Sequence, residues 1–170
     1  EEADRMILSG EKILERVRRE GLIENFDINC LEGAGYDLRV GRVYRIEGKG
    51  FIGIKDRKCP RVEEIKEIDS GIYILKSNEY VLIESIEMIR MPLDLIARIL
   101  PRSTIFRYGC SLVTAVVDPG YRGRLIIGLK NLSESEFEFE RGSRIAQIVF
   151  ERVEGRATEY KGRYQGGNVV

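Results

Sequence analysis

The residues best suited to chemistry gather between Pro101 and Asn131, which reads PRSTIFRYGCSLVTAVVDPGYRGRLIIGLKN. Two polar clusters interrupt an otherwise apolar run. Arg102-Ser103-Thr104 sets a cation beside two hydroxyls, and Asp118-Pro119-Gly120-Tyr121-Arg122-Gly123 opens a tight turn with an acid. Elsewhere the chain offers Asp37, Gln147 and a glycine-rich tail carrying Arg163. Arginine, hydroxyl, amide and a flexible glycine arm are groups that grip phosphates. An aspartate, with a reference pKa of about 3.9, is ionised at neutral pH and can take a proton from water. An aromatic beside a tight turn can pack on a sugar. The combination points to hydrolysis of a phosphoanhydride at a site assembled from several loops. Blander readings stand beside it. Asp118 before Pro-Gly is also an ordinary turn residue, Ser103 a surface hydroxyl, Gln147 a partnered strand amide, and the tail plain disorder.

Composition narrows the field. The chain of 170 residues is expected to be a single domain, 1–170, with a mobile arm over 155–170. Basic and acidic residues number 28 each, and the resulting zero net charge argues against a nucleic-acid binder or a membrane-surface protein. No apolar run approaches the roughly 18 residues of a membrane span. Glu1-Glu2-Ala3-Asp4-Arg5 lacks an apolar core and predicts no signal peptide. Three unevenly spaced cysteines predict reduced thiols and a cytoplasmic location. The charged fraction of 33% hints at a heat-adapted source. Histidine is absent, so there is no Ser-His or Cys-His pair and no histidine metal ligand. Acid and base work falls to Asp, Glu, Lys or Tyr, and a metal would be a hard cation with oxygen ligands.

The elements that must position these groups are short strands. Met6 to Arg19 reads as one helix, with Ser9 as cap and Gly21 past its end. Val43–Ile46 and Phe51–Ile54 read as strands, and Asp56–Ser70 as a charged, irregular excursion. Ile72–Leu75 and Tyr80–Glu84 look like a hairpin around Lys76-Ser77-Asn78-Glu79. Leu112–Val117 and the alternating Leu125–Leu129 look like a second, closed by the Asp118 turn. Phe137–Glu140 alternates, and Ile145–Arg152 is a last long strand. Many short strands, regular turns and one short N-terminal helix predict an all-β sandwich or barrel.

GAGYDL (33–38), PRS (101–103), AVVDPGYRG (115–123) and RGSRIAQIVF (141–150) stand in the order and spacing of four motifs of the homotrimeric dUTPases. MILSGEKI (6–13), DLRVG (37–41) and GRYQGG (162–167) resemble the sister dCTP deaminases. The resemblance covers nearly the whole chain. It implies a distorted β jelly roll, a homotrimer with sites between subunits, dUTP as substrate, and Mg²⁺ carried mainly on the triphosphate. It assigns Asp118 to the water that attacks the α-phosphate and Tyr121 to the deoxyribose. Ala115, Val116 and Val117 would read the base, and Arg102, Ser103, Thr104 and Gln147 would hold phosphates. Tyr160, Arg163 and Gln165 in the tail would reach the nucleotide. Asp37 and Arg107 would support the site, Arg107 being the deaminase-type residue of its stretch.

One position separates the two sister activities. Deaminases of this kind resemble one another in a glutamate ten residues after the aspartate, and here that position is Gly128. Glycine transfers no proton. The expected activity is therefore that of a dUTP diphosphatase. The alternatives are a dCTP deaminase, alone or bifunctional, drawing an acid from elsewhere, and a non-catalytic nucleotide-binding regulator.

Overall fold

The computed structural model describes residues 6–170; Glu1–Arg5, and with them the reading on a signal peptide, lie outside the described residues. Helix α1 spans Gly10–Glu20, later than the Met6 start expected from sequence. Ser9 sets the boundary: its backbone is extended, and its hydroxyl oxygen accepts from Lys12 N at 3.3 Å and caps the helix. The residues before it are extended instead, with Leu8 N donating to Phe150 O at 3.0 Å. Gly21, in the left-handed region at φ 70°, closes the other end. Arg16 ties the helix down by a two-pronged bond to Asp94, at 2.7 and 3.0 Å.

Two short strands, β1 (Ile23–Glu24) and β2 (Leu31–Glu32), lead into the long β3 (Gly35–Glu47). β3 is the spine of the fold, and its register against β8 shifts between Val40 and Val43. A Cβ on Gly41 would stand 2.6 Å from Glu84 O, so this close approach requires glycine. Among the described residues β4 (Phe51–Ile52) and β5 (Arg57–Lys58) pair only with each other. β6 (Arg61–Ile65) corrects the expected irregular excursion. It pairs antiparallel with β3, from Val43 opposite Ile65 to Glu47 opposite Arg61. β7 (Ile72–Leu75) and β8 (Tyr80–Arg90) are joined by the expected turn but do not pair with each other. β8 lies between β3 and a later strand.

β9 (Leu95–Pro101) runs into α2 (Ser103–Arg107), a second helix that the sequence reading did not foresee. Arg102 is its extended N-cap, Tyr108 N bonds back to Thr104 O at 3.0 Å, and Gly109 at φ 85° ends it. The next stretch is not one arm of a hairpin as expected. It divides into β10 (Cys110–Val113) and β11 (Val116–Val117). Thr114 Oγ1, donating to Ile99 O at 2.6 Å, pins the break. β12 (Arg122–Asn131) pairs with β10, whereas β11 pairs with β9. The Asp118 turn therefore joins two parts of the sheet rather than two paired neighbours. β13 (Phe137–Glu140) pairs with β7, and β14 (Arg144–Arg152) lies between β3 and β9.

The main sheet runs β10-β12-β8-β3-β14-β9-β11, with β1, β2 and β6 alongside, and its curl makes the fold all-β and jelly-roll-like. The inward face carries Val81, Ile83 and Ile89 of β8, Ile127 and Leu129 of β12, and Ile148 and Phe150 of β14, all at most 2% exposed. Alternation at period two puts them on one side, where burial of each contributes about 1.5–3 kcal/mol. No helix is long and apolar enough to cross a membrane among the described residues.

One of the buried carboxylates is tied into the framework. Glu87 is fully buried and accepts from Tyr36 Oη at 3.0 Å, Arg39 N at 3.0 Å and Arg39 Nε at 2.7 Å. Glu87→Ala would remove the carboxylate that Arg39 and Tyr36 share, leaving Arg39 with Asn25 O and Asp27, and loss of such a buried charged partner costs about 3 kcal/mol. Thermal unfolding of this variant should occur far below wild type, and an unchanged melt would remove Glu87 from the framework.

Candidate active site

A cleft of about 940 Å³ opens beside the Asp118 turn. It is lined by the sequence-predicted Ala115, Val116, Val117, Asp118, Tyr121 and Tyr160. Asp118 is half-buried at the end of β11, where the chain must turn through Gly120 at φ 80°. Tyr121 is 8% exposed, donates its hydroxyl to Arg124 O, and meets the Tyr160 ring edge-on at 5.8 Å. Burial pushes its pKa up to about 12, so it serves as a neutral wall and not as an acid.

The tail holds this turn in place. Gln165 accepts from Arg122 N at 2.7 Å and donates to Gly120 O at 3.0 Å and Tyr160 O at 2.9 Å. Tyr160 N donates to Pro119 O and Gly166 N to Arg122 O, at 2.9 and 2.8 Å. Only glycine admits this approach, since a Cβ on Gly123 would stand 2.7 Å from Gly166 C and Gly167 N. Of the tail residues named from sequence, Tyr160 faces the cleft and Gln165 straps the turn. Arg163 is exposed and donates to Val170 O at 3.3 Å.

The phosphate-type residues form a second cluster that does not line the cleft. Asp37 on β3 is paired with Gln147 on β14, and Leu100 on β9 lies on the other side of Gln147. Arg102 Nε lies 3.2 Å and Arg144 Nη1 3.5 Å from Asp37 Oδ2, which nevertheless has no aligned hydrogen bond among the described residues. Ser103 and Thr104 open α2 next to Arg102. Arg107, further along the helix, lies with its guanidinium 5.5 Å from the Phe106 ring centre. Burial, with Glu32 adding to it, raises Asp37 from its ordinary 3.8 to about 6, against the pull of Arg102. Between about pH 4 and 6 the folded chain then holds a proton that the unfolded chain has released. Wild type should lose stability relative to Asp37→Asn as pH rises through this window. Paired melting curves check this, and parallel curves would contradict it.

At Gly128 a built Cβ would overlap the Tyr80 hydroxyl and stand 2.9 Å from ring atoms Cε2 and Cζ. Tyr80 thus occupies the space into which a side chain at position 128 would project. Glu84, 9% exposed, stands across from Ile126, a cleft residue.

Sequence reasoning missed the roof of the cleft. Phe51, Arg57, Lys58 and Cys59 of the β4–β5 hairpin line it, as do Tyr164 and Asn168–Val170. It also missed Arg144 beside Asp37. Nothing in the periodicity of residues 50–60 marks a cleft wall; only the bend of the chain back over the Asp118 turn does so.

A curled β fold with an acid-bearing turn in an open cleft and a separate Arg-Ser-Gln-Asp cluster defines a nucleotide-enzyme architecture. Residues 7–153 match the dCTP deaminase-like domain, and the chain belongs to that family. It is 37% identical to the probable deoxyuridine 5′-triphosphate nucleotidohydrolase of Aeropyrum pernix over 86% of this chain and 91% of that one. It is 39% identical to the dCTP deaminase of Pyrococcus abyssi over 91% and 92% of the two chains. The fold resembles the 2′-deoxycytidine 5′-triphosphate deaminase of Agrobacterium tumefaciens, with a TM-score of 0.70 at 20% identity. That match covers 87% of this chain, which spans about half of the other (48%).

Proposed function

We propose that this chain is a dUTP diphosphatase, hydrolysing dUTP to dUMP and pyrophosphate and so limiting uracil incorporation into DNA. The observation that carries this reading over deamination is the cleft itself. It presents Asp118 as its carboxylate among the described residues, while position 128 is a glycine whose side-chain space Tyr80 fills. Hydrolysis needs one group to hold the proton of water, and Asp118 is that group. Water attacks the α-phosphorus, the bond to the bridging oxygen breaks, and pyrophosphate leaves with the electron pair. Tyr121 packs on the deoxyribose and leaves no room for a 2′-hydroxyl. The backbone of Ala115–Val117 reads the uracil.

Arg102, Ser103 and Gln147 hold the phosphates from a neighbouring copy in a homotrimer. Two features support this. The phosphate cluster and the cleft are separate within one chain, and Phe106, Tyr108, Val113 and Val116 are exposed apolar residues that a partner copy would cover. A Mg²⁺ would be held mainly by the substrate phosphates and waters. When bound, it neutralises charge developing on the phosphate oxygens.

The test is product analysis on dUTP. Equimolar dUMP and pyrophosphate, abolished by excess chelator, are expected; orthophosphate release, or full activity in chelator, would overturn the reading. Glu84 supports a second reading, a bifunctional dCTP deaminase in which Glu84 substitutes for the acid lacking at position 128.

A further inference from the structure

The cleft has a cation supply that neither the motifs nor the proposed mechanism uses. A triphosphate is a polyanion, yet Arg102 is already turned toward Asp37 at 3.2 Å and lies outside the cleft. The charged residues lining the cleft are Asp118, Arg57 and Lys58. No ion pair engages Arg57 or Lys58 among the described residues, whereas fourteen ion pairs are made elsewhere from Lys12 to Arg144. Both cations sit on β5, whose partner β4 places Ile52 opposite Arg57 and Phe51 opposite Lys58. The hairpin joins no other strand among the described residues, and it leaves the body of the fold through Gly48 at φ 82° and returns through Pro60. Basic residues outnumber acidic ones five to one over 49–61. A roof of this kind, unpaired to the sheet and free of carboxylate partners, is built to meet an anion.

We infer that Arg57 and Lys58 are triphosphate-binding residues, and that the β4–β5 hairpin closes over the nucleotide when they engage it. The inference rests on the proposal that the cleft takes a nucleoside triphosphate. Arg57 offers a planar fork that can take two phosphate oxygens, and Lys58 a compact charge beside it. Neither touches the α-phosphorus chemistry, so their effect falls on binding more than on turnover.

Cys59, the next residue, supplies a native reporter. It is exposed and lines the cleft, whereas Cys30 and Cys110 are buried. The experiment titrates the full chain with the non-hydrolysable α,β-imido-dUTP and with dUMP, following affinity by calorimetry and Cys59 by its rate of reaction with a thiol reagent. The Arg57→Gln/Lys58→Gln variant is titrated in parallel, and its oligomeric state is compared with that of wild type. Charge-assisted phosphate bonds predict about a 10-fold or greater loss of affinity for the triphosphate in the variant, with the affinity for dUMP within about two-fold. The triphosphate analogue should also slow Cys59 modification by roughly 10-fold in wild type alone, as the roof closes. Tight binding by wild type with equal affinity in the variant and an unprotected Cys59 would overturn the role of the hairpin and leave the nucleotide reading intact. A loss of affinity traced to disassembly of the variant would also overturn it. Failure of wild type to bind the analogue at all would overturn both.

Discussion

Asp118→Asn is expected to lower dUTP turnover by roughly 10²–10⁴, the usual cost of losing a general base, while dUTP still binds. The substitution keeps the size and shape of the side chain. Asp118 is half-buried at the end of β11, and its place is set by backbone: Pro119 O accepts from Tyr160 N, and Gly120 N donates to Met91 O. The turn should therefore survive the exchange. The carboxamide still accepts a hydrogen bond but cannot hold the proton of the attacking water. The loss should appear in kcat, with KM moving little, because the interaction strengthens as the proton transfers. Steady-state kinetics beside calorimetry with dUTP separate the two. A variant within a few-fold of wild type would take Asp118 out of the chemistry.

The second large effect is expected from a chain ending at Gly155. It loses Gln165, whose amide makes two bonds to the Asp118 turn and one to Tyr160 O in the tail, and Tyr160, which packs on Tyr121. The core depends little on these residues, with Tyr160 packed, partly buried, against its edge. Its largest fully buried side chains, from Ile13 to Phe150, all precede the cut. The truncated chain should fold and assemble as before. Its turn, without the strap, would relax, and displacement of a catalytic group by about 1 Å can cost 10²-fold in rate. A fall in turnover of about 10² is therefore expected, with faster amide exchange at Arg122, whose N–H loses Gln165 as its acceptor. Loss of the fold on truncation would show instead that the tail is part of the framework.

The sequence announced its strands more clearly than their partners. Alternation located Phe137–Glu140 and the middle of β12, Leu125–Leu129, because one buried face imposes period two. Pairing is a non-local choice, and it misled twice. Leu112–Val117 looks continuous, but Thr114 bonds Ile99 O and moves Val116 to β9. The turn at Lys76–Glu79 is real, yet Ile72–Leu75 finds its partner in Phe137–Glu140, over sixty residues away. β6 escaped notice because Arg61 and Glu63–Glu64 are exposed on an edge, where burial leaves no pattern. At the site, the Asp118 turn was legible because Pro-Gly and Tyr carry local signals. Arg57 and Lys58 were not, since a charged hairpin gives no hint of what it bends over. Tyr80 was equally hidden. Gly128 told of a missing acid, but only packing reveals what fills its place.

That position bears on the central claim, and one measurement addresses it most directly. Enzyme in large excess is incubated with dUTP and with dCTP, each with Mg²⁺, and pyrophosphate and ammonia are assayed separately. Pyrophosphate and dUMP from dUTP, with no ammonia from dCTP, are the results expected of a cleft whose acid is Asp118 and whose position 128 is filled by Tyr80. Catalytic or stoichiometric ammonia from dCTP would contradict the account and pass the proton-transfer role to Glu84.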